Sequence, residues 1–235
     1  MTPALELGSS TWSELIDREL TIVVPVGAVE QHGPHLPLHT DGVIAAEVAT
    51  RAVTLADVDA LTAPTVAYGA SGEHEGFPGT VSIGVDVMER LIVEYGRSAC
   101  RWATRIVFVN GHGGNALALA AAVRLLRYEG RDAAWWPCAF PGADAHAGDT
   151  ETSILLATEP AAVRVERAAV GNTAPIATLM DDMRAGGVAA VSATGVLGDP
   201  TTADAGRGAA LLAASARTLA DALTGWTVGD DGRLS

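Results

Sequence analysis

The sequence predicts an α/β fold: a mainly parallel central sheet with helices on both faces, three layers in all. Three observations predict it. Short apolar β-branched runs alternate with helical patterns along the chain, the signature of strand–helix–strand units. The clearest runs, Ile22 to Val26 and, within Arg105 to Val109, the four residues after Arg105, are apolar on consecutive residues, as strands covered on both faces must be. All six histidines fall in loops that follow predicted strands, where such sheets bind ligands.

Taken in order, Ile22–Val26 reads as a buried strand, and Asp41-Gly42 leads into a helix through Val43–Ala49. A second strand is expected from Ala60 to Tyr68, bent or placed at an edge by Pro64. A glycine-rich loop, Gly69 to Thr80, precedes a short strand at Val81–Ile83, and Asp86 is expected to cap a helix running to about Trp102. The strand Arg105–Val109 ends in Asn110-Gly111-His112-Gly113-Gly114-Asn115, followed by a helix from Ala116 to Tyr128. Asp132–Trp136 returns as a strand, and the loop carrying His146 and Glu151 enters another helix. A Gly-, Asp- and Pro-rich loop (Gly195–Thr202) and a helix from Ala203 to about Leu223 complete a single domain over residues 1–235, with a frayed tail from about residue 227.

Composition narrows the function. A length of 235 residues suits one domain with a sizeable core. Fifteen cations against 28 acids give a net charge of −13, which argues against nucleic acid or an anionic membrane as partner. Every cation is arginine, so Schiff-base chemistry and a phosphate-binding P-loop lysine are excluded. The two cysteines, Cys100 and Cys138, lack metal-ribbon spacing. Without a basic head before an apolar block, or an apolar run long enough to span a bilayer, a cytoplasmic location is expected.

Residues 30 to 41, Glu-Gln-His-Gly-Pro-His-Leu-Pro-Leu-His-Thr-Asp, carry the strongest chemical signal. Imidazoles and carboxylates crowded at a strand end are how a protein builds a divalent-metal site. Glu30 and His32, two residues apart, project to one side of an extended segment, and Asp41 joins them as ligand or serves only as a helix cap. His35 and His39 read as backbone-bonding loop histidines. His112 sits among Gly111, Gly113 and Gly114, which admit a metal or substrate closely; the alternative is a phosphate-cradling turn. Glu151 is a further ligand or a dipole-matched end group on its helix. Glu73 and His74 line the pocket or lie on a solvated loop. Charge counting favours two metals, because two divalent cations balance Glu30, Asp41, Glu151 and a bridging hydroxide.

Several segments together resemble the creatininase family of metal-dependent amidohydrolases. They are Gly27 to Leu38, Thr40-Asp41, Gly72-Glu73-His74 with Phe77-Pro78-Gly79-Thr80, Asn110 to Asn115, and His146-Ala147-Gly148 with Glu151-Thr152-Ser153, in family order. Tyr68 to His74, Val93 to Ser98, Gly187 to Ser192 and Gly195 to Thr202 are most similar to the branch of that family found in mycofactocin systems. The resemblance implies a creatininase-like three-layer fold. It also implies a peptidase that removes the modified C-terminal Val-Tyr-derived unit from the mycofactocin precursor peptide, in a homo-oligomer.

Carried over, Glu30, Asp41 and His112 hold one metal, Asp41 bridges to a second held by His32, and His146 is the acid–base histidine. Creatininase carries a glutamate where this chain has Gly114, which argues against creatinine ring opening and leaves a position open to Glu151. Gly113, Gly114, Glu73 and His74 are expected to meet the substrate. His and carboxylate ligands suit zinc, iron(II) and manganese. A metal-bridged hydroxide then attacks the amide, with His146 supplying the proton to the amine. The alternatives are an amidohydrolase acting on a small cyclic amide or a formamide, and a non-catalytic metal- or nucleotide-binding module.

Overall fold

The computed structural model describes residues 6–235. Its centre is a four-stranded parallel sheet in the order β2-β1-β3-β4, with β1 at Thr21–Val26, β2 at Ala60–Thr62, β3 at Arg105–Asn110 and β4 at Ala133–Pro137. The described residues form six α-helices: α1 Thr40–Leu55, α2 Val85–Ala99, α3 Ala116–Tyr128, α4 Asp149–Thr158, α5 Ile176–Gly186 and α6 Ala205–Gly225.

The alternation of side chains along the strands divides the core in two. Ile22, Val24, Val26, Ile106 and Phe108 face a cluster with Met88 and Ile92 of α2 and Leu119 and Leu126 of α3. Val23, Val107 and Val109 face the opposite cluster, with Ile44 and Val48 of α1, Ile154 of α4, and Leu212 and Leu219 of α6. Each strand is covered twice, which is why its sequence is a continuous apolar run. The three-layer arrangement follows.

Pro25 sits inside β1, although proline lacks the N–H a central strand needs. Its carbonyl accepts from Val66 N–H on the β2 side, where the β2 ladder has already ended at the Thr62–Val23 pair. No ladder bond is lost. The strand expected from Ala60 to Tyr68 therefore stops at Thr62, before Pro64, and the chain returns to β1 only through a Val26–Val66 bridge. Val81–Ile83 is not a strand; Val81 makes an isolated antiparallel bridge to Val29. Asp86 does not cap α2, because Gly84, at φ 76°, takes that position and Asp86 lies inside the first turn. The tail expected to fray packs instead: Leu234 is buried and donates its N–H to the carbonyl of Trp135 in β4.

The chain passes from β1 to β2 on one side and then returns to β3 on the other, so the order reverses between β1 and β3. Carboxyl ends of strands at such a reversal are where open α/β sheets bind ligands. Two glycines bring the start of α1 against these ends. A Cβ at Gly27 would lie 2.5 Å from Gly42 N, and one at Gly111 would lie 2.3 Å from the Asp41 carbonyl oxygen. Bare backbone at both positions lets Asp41 enter the reversal.

Candidate metal centre

Four segments, each a loop or a loop with the first turn of the helix that follows it, meet above the ends of β1 and β3. They supply Glu30, His32 and Asp41 from the first, Glu73 and His74 from the second, His112 from the third, and His146 with Glu151 from the fourth. Glu30, His32, Asp41, His74, His112 and His146 are buried, while Glu151 and Glu73 are half-buried. Three overlapping sets can each offer one ligand atom to a cation: Glu30, His32 and Asp41; His32, His146 and Glu151; and Glu30, His74 and His146. His112 adds its Nδ1 at 3.1 Å from Glu30 Oε2 and 3.4 Å from Asp41 Oδ2.

The ring nitrogens facing the carboxylates are selected by backbone carbonyls behind them. His32 Nδ1 donates to the Glu30 carbonyl at 3.2 Å, leaving Nε2 bare toward Asp41. His112 Nε2 donates to the Ala70 carbonyl at 3.1 Å, leaving Nδ1 bare toward Glu30 and Asp41. His146 Nε2 donates to the Gln31 carbonyl at 2.8 Å, leaving Nδ1 bare at 3.7 Å from Glu30 Oε1. Both Glu30 oxygens and Asp41 Oδ2 are buried without a hydrogen-bond partner. Lone pairs thus face lone pairs in a dry interior, an arrangement that requires protons or cations between them. An imidazole whose second nitrogen is tied to a carbonyl is also how ligand histidines are held. The residues fit a divalent-metal centre.

Electrostatics carries the same message. Burial pulls the His32 pKa down, but the combined pull of Asp41, Glu151 and Glu30 lifts it to about 10. His112 is likewise pushed well up against the cost of its burial, by Glu30, Glu73 and Asp41. Burial and the nearby Asp41 charge raise Glu30 to about 7, and burial raises Glu151 to about 7 against the pull of His32. Asp41 stays below the usual carboxylate range because the His32 and His112 charges outweigh its burial. Positive charge is strongly favoured here, and without metal protons supply it.

Gln31 is a site residue that the sequence argument passed over. Its Oε1 accepts from Gly33 N–H at 2.9 Å, which fixes the amide orientation. The amide nitrogen then donates to His74 Nδ1 at 2.8 Å and to the Gly195 carbonyl at 3.1 Å. His74 therefore carries its proton on Nε2, 3.3 Å from Glu30 Oε1. Its pKa falls to about 4, through burial and the His112 charge. The available signal was position: Gln31 lies between two residues that project to one side, so it must face the other.

The remaining histidines stand apart. His35 is buried and pairs with Thr152 Oγ1 at 2.9 Å, and exposed His39 pairs with Glu159 at 3.2 Å. His39 takes the position before α1, so Asp41 lies within the helix and not at its cap. At Gly114 a Cβ would lie 2.4 Å from both the Ala70 carbonyl oxygen and His112 Nε2, and 2.8 Å from Glu73 Oε1. Glu73 occupies the space beside that glycine, 3.4 Å from His112 Nε2. Gly113, by contrast, opens onto free space. A cavity of about 560 Å³ extends from Asp41, His74, His112, His146 and Glu151, a volume suited to a small-molecule or side-chain ligand.

Known proteins resemble this chain in sequence and in fold. The family model described as creatinine amidohydrolase matches residues 7–223. The mycofactocin precursor peptide peptidase of Mycolicibacterium smegmatis is 59% identical over 233 residues, covering 97% of this chain and 94% of its own. A solved structure described as creatininase Mn superposes with a TM-score of 0.81 at 27% identity, covering 94% of this chain and 97% of its own. A creatininase variant described as Zn–Zn type gives the same TM-score, identity and coverage. With a family match across nearly the whole length and a sheet reversal crowded by acids and imidazoles, the chain belongs to the creatininase family.

Proposed function

We propose that this protein is a dinuclear metal-dependent peptidase that removes the modified C-terminal Val-Tyr-derived unit from the mycofactocin precursor peptide. One observation carries the chemistry: three buried imidazoles, each with its other ring nitrogen tied to a backbone carbonyl, face the carboxylates of Glu30 and Asp41, of which both Glu30 oxygens and Asp41 Oδ2 lack a hydrogen-bond partner. The 59% identity to a protein named for that peptide carries the substrate. Glu30, Asp41 and His112 would hold one metal, and His32, Asp41 and Glu151 would hold a second. Zinc, iron(II) and manganese all suit such ligands.

The metals, when bound, acidify a water and polarise the scissile carbonyl. The protein's own groups handle the proton. His146 keeps one proton on Nε2 against the Gln31 carbonyl, and its burial disfavours the charged ring. Its bare Nδ1 takes a proton from the attacking water and delivers it to the departing amine nitrogen. Glu73, His74, Gly113 and Gly114 line the approach, and Gly113 leaves room for the peptide backbone.

The two free cysteines suit a reducing cytoplasm. Exposed Trp12, Leu117 and Tyr128 suit burial between subunits of a homo-oligomer. Mass spectrometry of the modified precursor incubated with metal-loaded enzyme tests the reading. The expected products are the shortened peptide and the released C-terminal unit; an intact precursor would overturn the assignment.

A further inference from the structure

α5 is an unusual helix: it spans 11 residues and buries none of them. Its apolar residues Ile176, Met180 and Met183 recur at helical spacing and all line the cavity above the metal centre. The C-terminal end of α5 is pinned to the site. Gly187, at φ 68°, ends the helix, and a Cβ there would lie 2.7 Å from the Glu73 carbonyl oxygen. Phe140, on the loop after β4, adds an aromatic ring to the same cavity, whose lining thus combines the ionic site residues with apolar ones.

A second cavity of about 530 Å³ adjoins the first, and both are lined by Asp144, Ile176 and Leu197. Its character differs. Asn172, Thr173, Asp199 and Thr202 make it more polar than the first, although Ala145, Pro175 and Ile176 also line it. A chain reaching the metal centre would thus have an apolar lining from α5 in one cavity and a more polar lining in its neighbour.

Resting on the peptidase reading above, we infer that Ile176, Met180, Met183 and Phe140 form the specificity pocket for the apolar and aromatic side chains of the released C-terminal unit, while the more polar cavity takes the chain upstream of the cut. Methionine suits this role, since its flexible thioether packs against aromatic rings of varied shape. The pocket would set which peptide end is accepted, and the metal centre would cut whatever is seated.

The test compares the modified precursor with a synthetic analogue whose last two residues are alanine. For each, kcat/KM is measured with the wild-type holoenzyme, the M180A/M183A variant and the M180L/M183L variant. The alanine pair should lower the preference for the natural end by about tenfold or more, the scale of losing methylene contacts in an apolar pocket, and the leucine pair should restore most of it. Ile176→Ala, alone, should lower the preference in the same direction. An unchanged preference in the alanine variants, with the wild type cutting the precursor, overturns this pocket and leaves the peptidase standing. A wild type that cuts neither peptide overturns both.

Discussion

His32 Nε2 lies 3.1 Å from Asp41 Oδ1, while the other nitrogen of the same ring faces the Glu30 carbonyl at 3.2 Å. A ring held from behind in this way presents its lone pair to a carboxylate, so something positive must lie between them. Asp41→Asn keeps the shape and removes the charge. Metal content, measured on the purified variant, should fall from about two per chain to one or fewer. Turnover should drop by about a hundredfold or more, the scale of losing a preorganised electrostatic group. Full metal content in the variant would remove Asp41 from the ligand set.

Gln31 ties the second loop to the first by donating to His74, and its backbone carbonyl selects the His146 tautomer. Gln31→Ala removes the side-chain bond and leaves the carbonyl. Turnover should fall about 10- to 100-fold, the scale of losing a bond that orients site residues from behind. His146→Ala should behave differently: turnover should collapse while metal content holds. Loss of metal from that variant would make His146 a ligand in place of the proton carrier.

Metal-free protein should become less stable as pH rises. His32 has a pKa of about 10 in the fold against 6.5 as its ordinary value, so folded protein holds a proton that the unfolded chain has lost. That contribution is fully present below 6.5 and disappears as pH climbs through about 10. Glu30 and Glu151, each raised to about 7, act in the same direction between their ordinary 4.5 and 7. His35 and His74, lowered to about 4, oppose them only below 6.5. Melting curves of chelator-treated protein from pH 7 to 9.5 should therefore show a falling midpoint. Added zinc should flatten the curve, because it replaces those protons. A midpoint that rises with pH in the metal-free protein would contradict the assigned charge balance.

Gly111→Ala tests how the fold positions the site. The added methyl would lie 2.3 Å from the Asp41 carbonyl oxygen, a backbone atom that cannot swing aside. The expected cost is about 1–3 kcal/mol of stability, read from chemical denaturation, with a parallel loss of metal affinity as α1 shifts. Equal stability and affinity in the variant would show that the contact is not required.

Much of this was legible in the chain because two rules act locally. Double coverage makes β1 and β3 continuous apolar runs, and the reversal between them places the 30–41 and 110–115 loops side by side. Pro64 announced an interruption, but how early β2 would stop depends on where β1 needs no partner, a tertiary fact. Asp86 looked like a cap because aspartate commonly is one; Gly84, which has no side chain to offer, takes the position through its positive φ. α5 was invisible as a functional element because its apolar face resembles an ordinary core stripe, and only the fold shows that it covers a cavity. Gln31 was hidden for a similar reason, since its partners His74 and Gly195 lie 43 and 164 residues away.

The most direct measurement is an anomalous-scattering map from crystals of the zinc-loaded protein. Two peaks are predicted, each within about 2.0–2.2 Å of imidazole nitrogens and carboxylate oxygens. Glu30, Asp41 and His112 should surround one, and His32 and Asp41 should touch the other. Peaks elsewhere, or none at the junction of β1 and β3, would contradict the account.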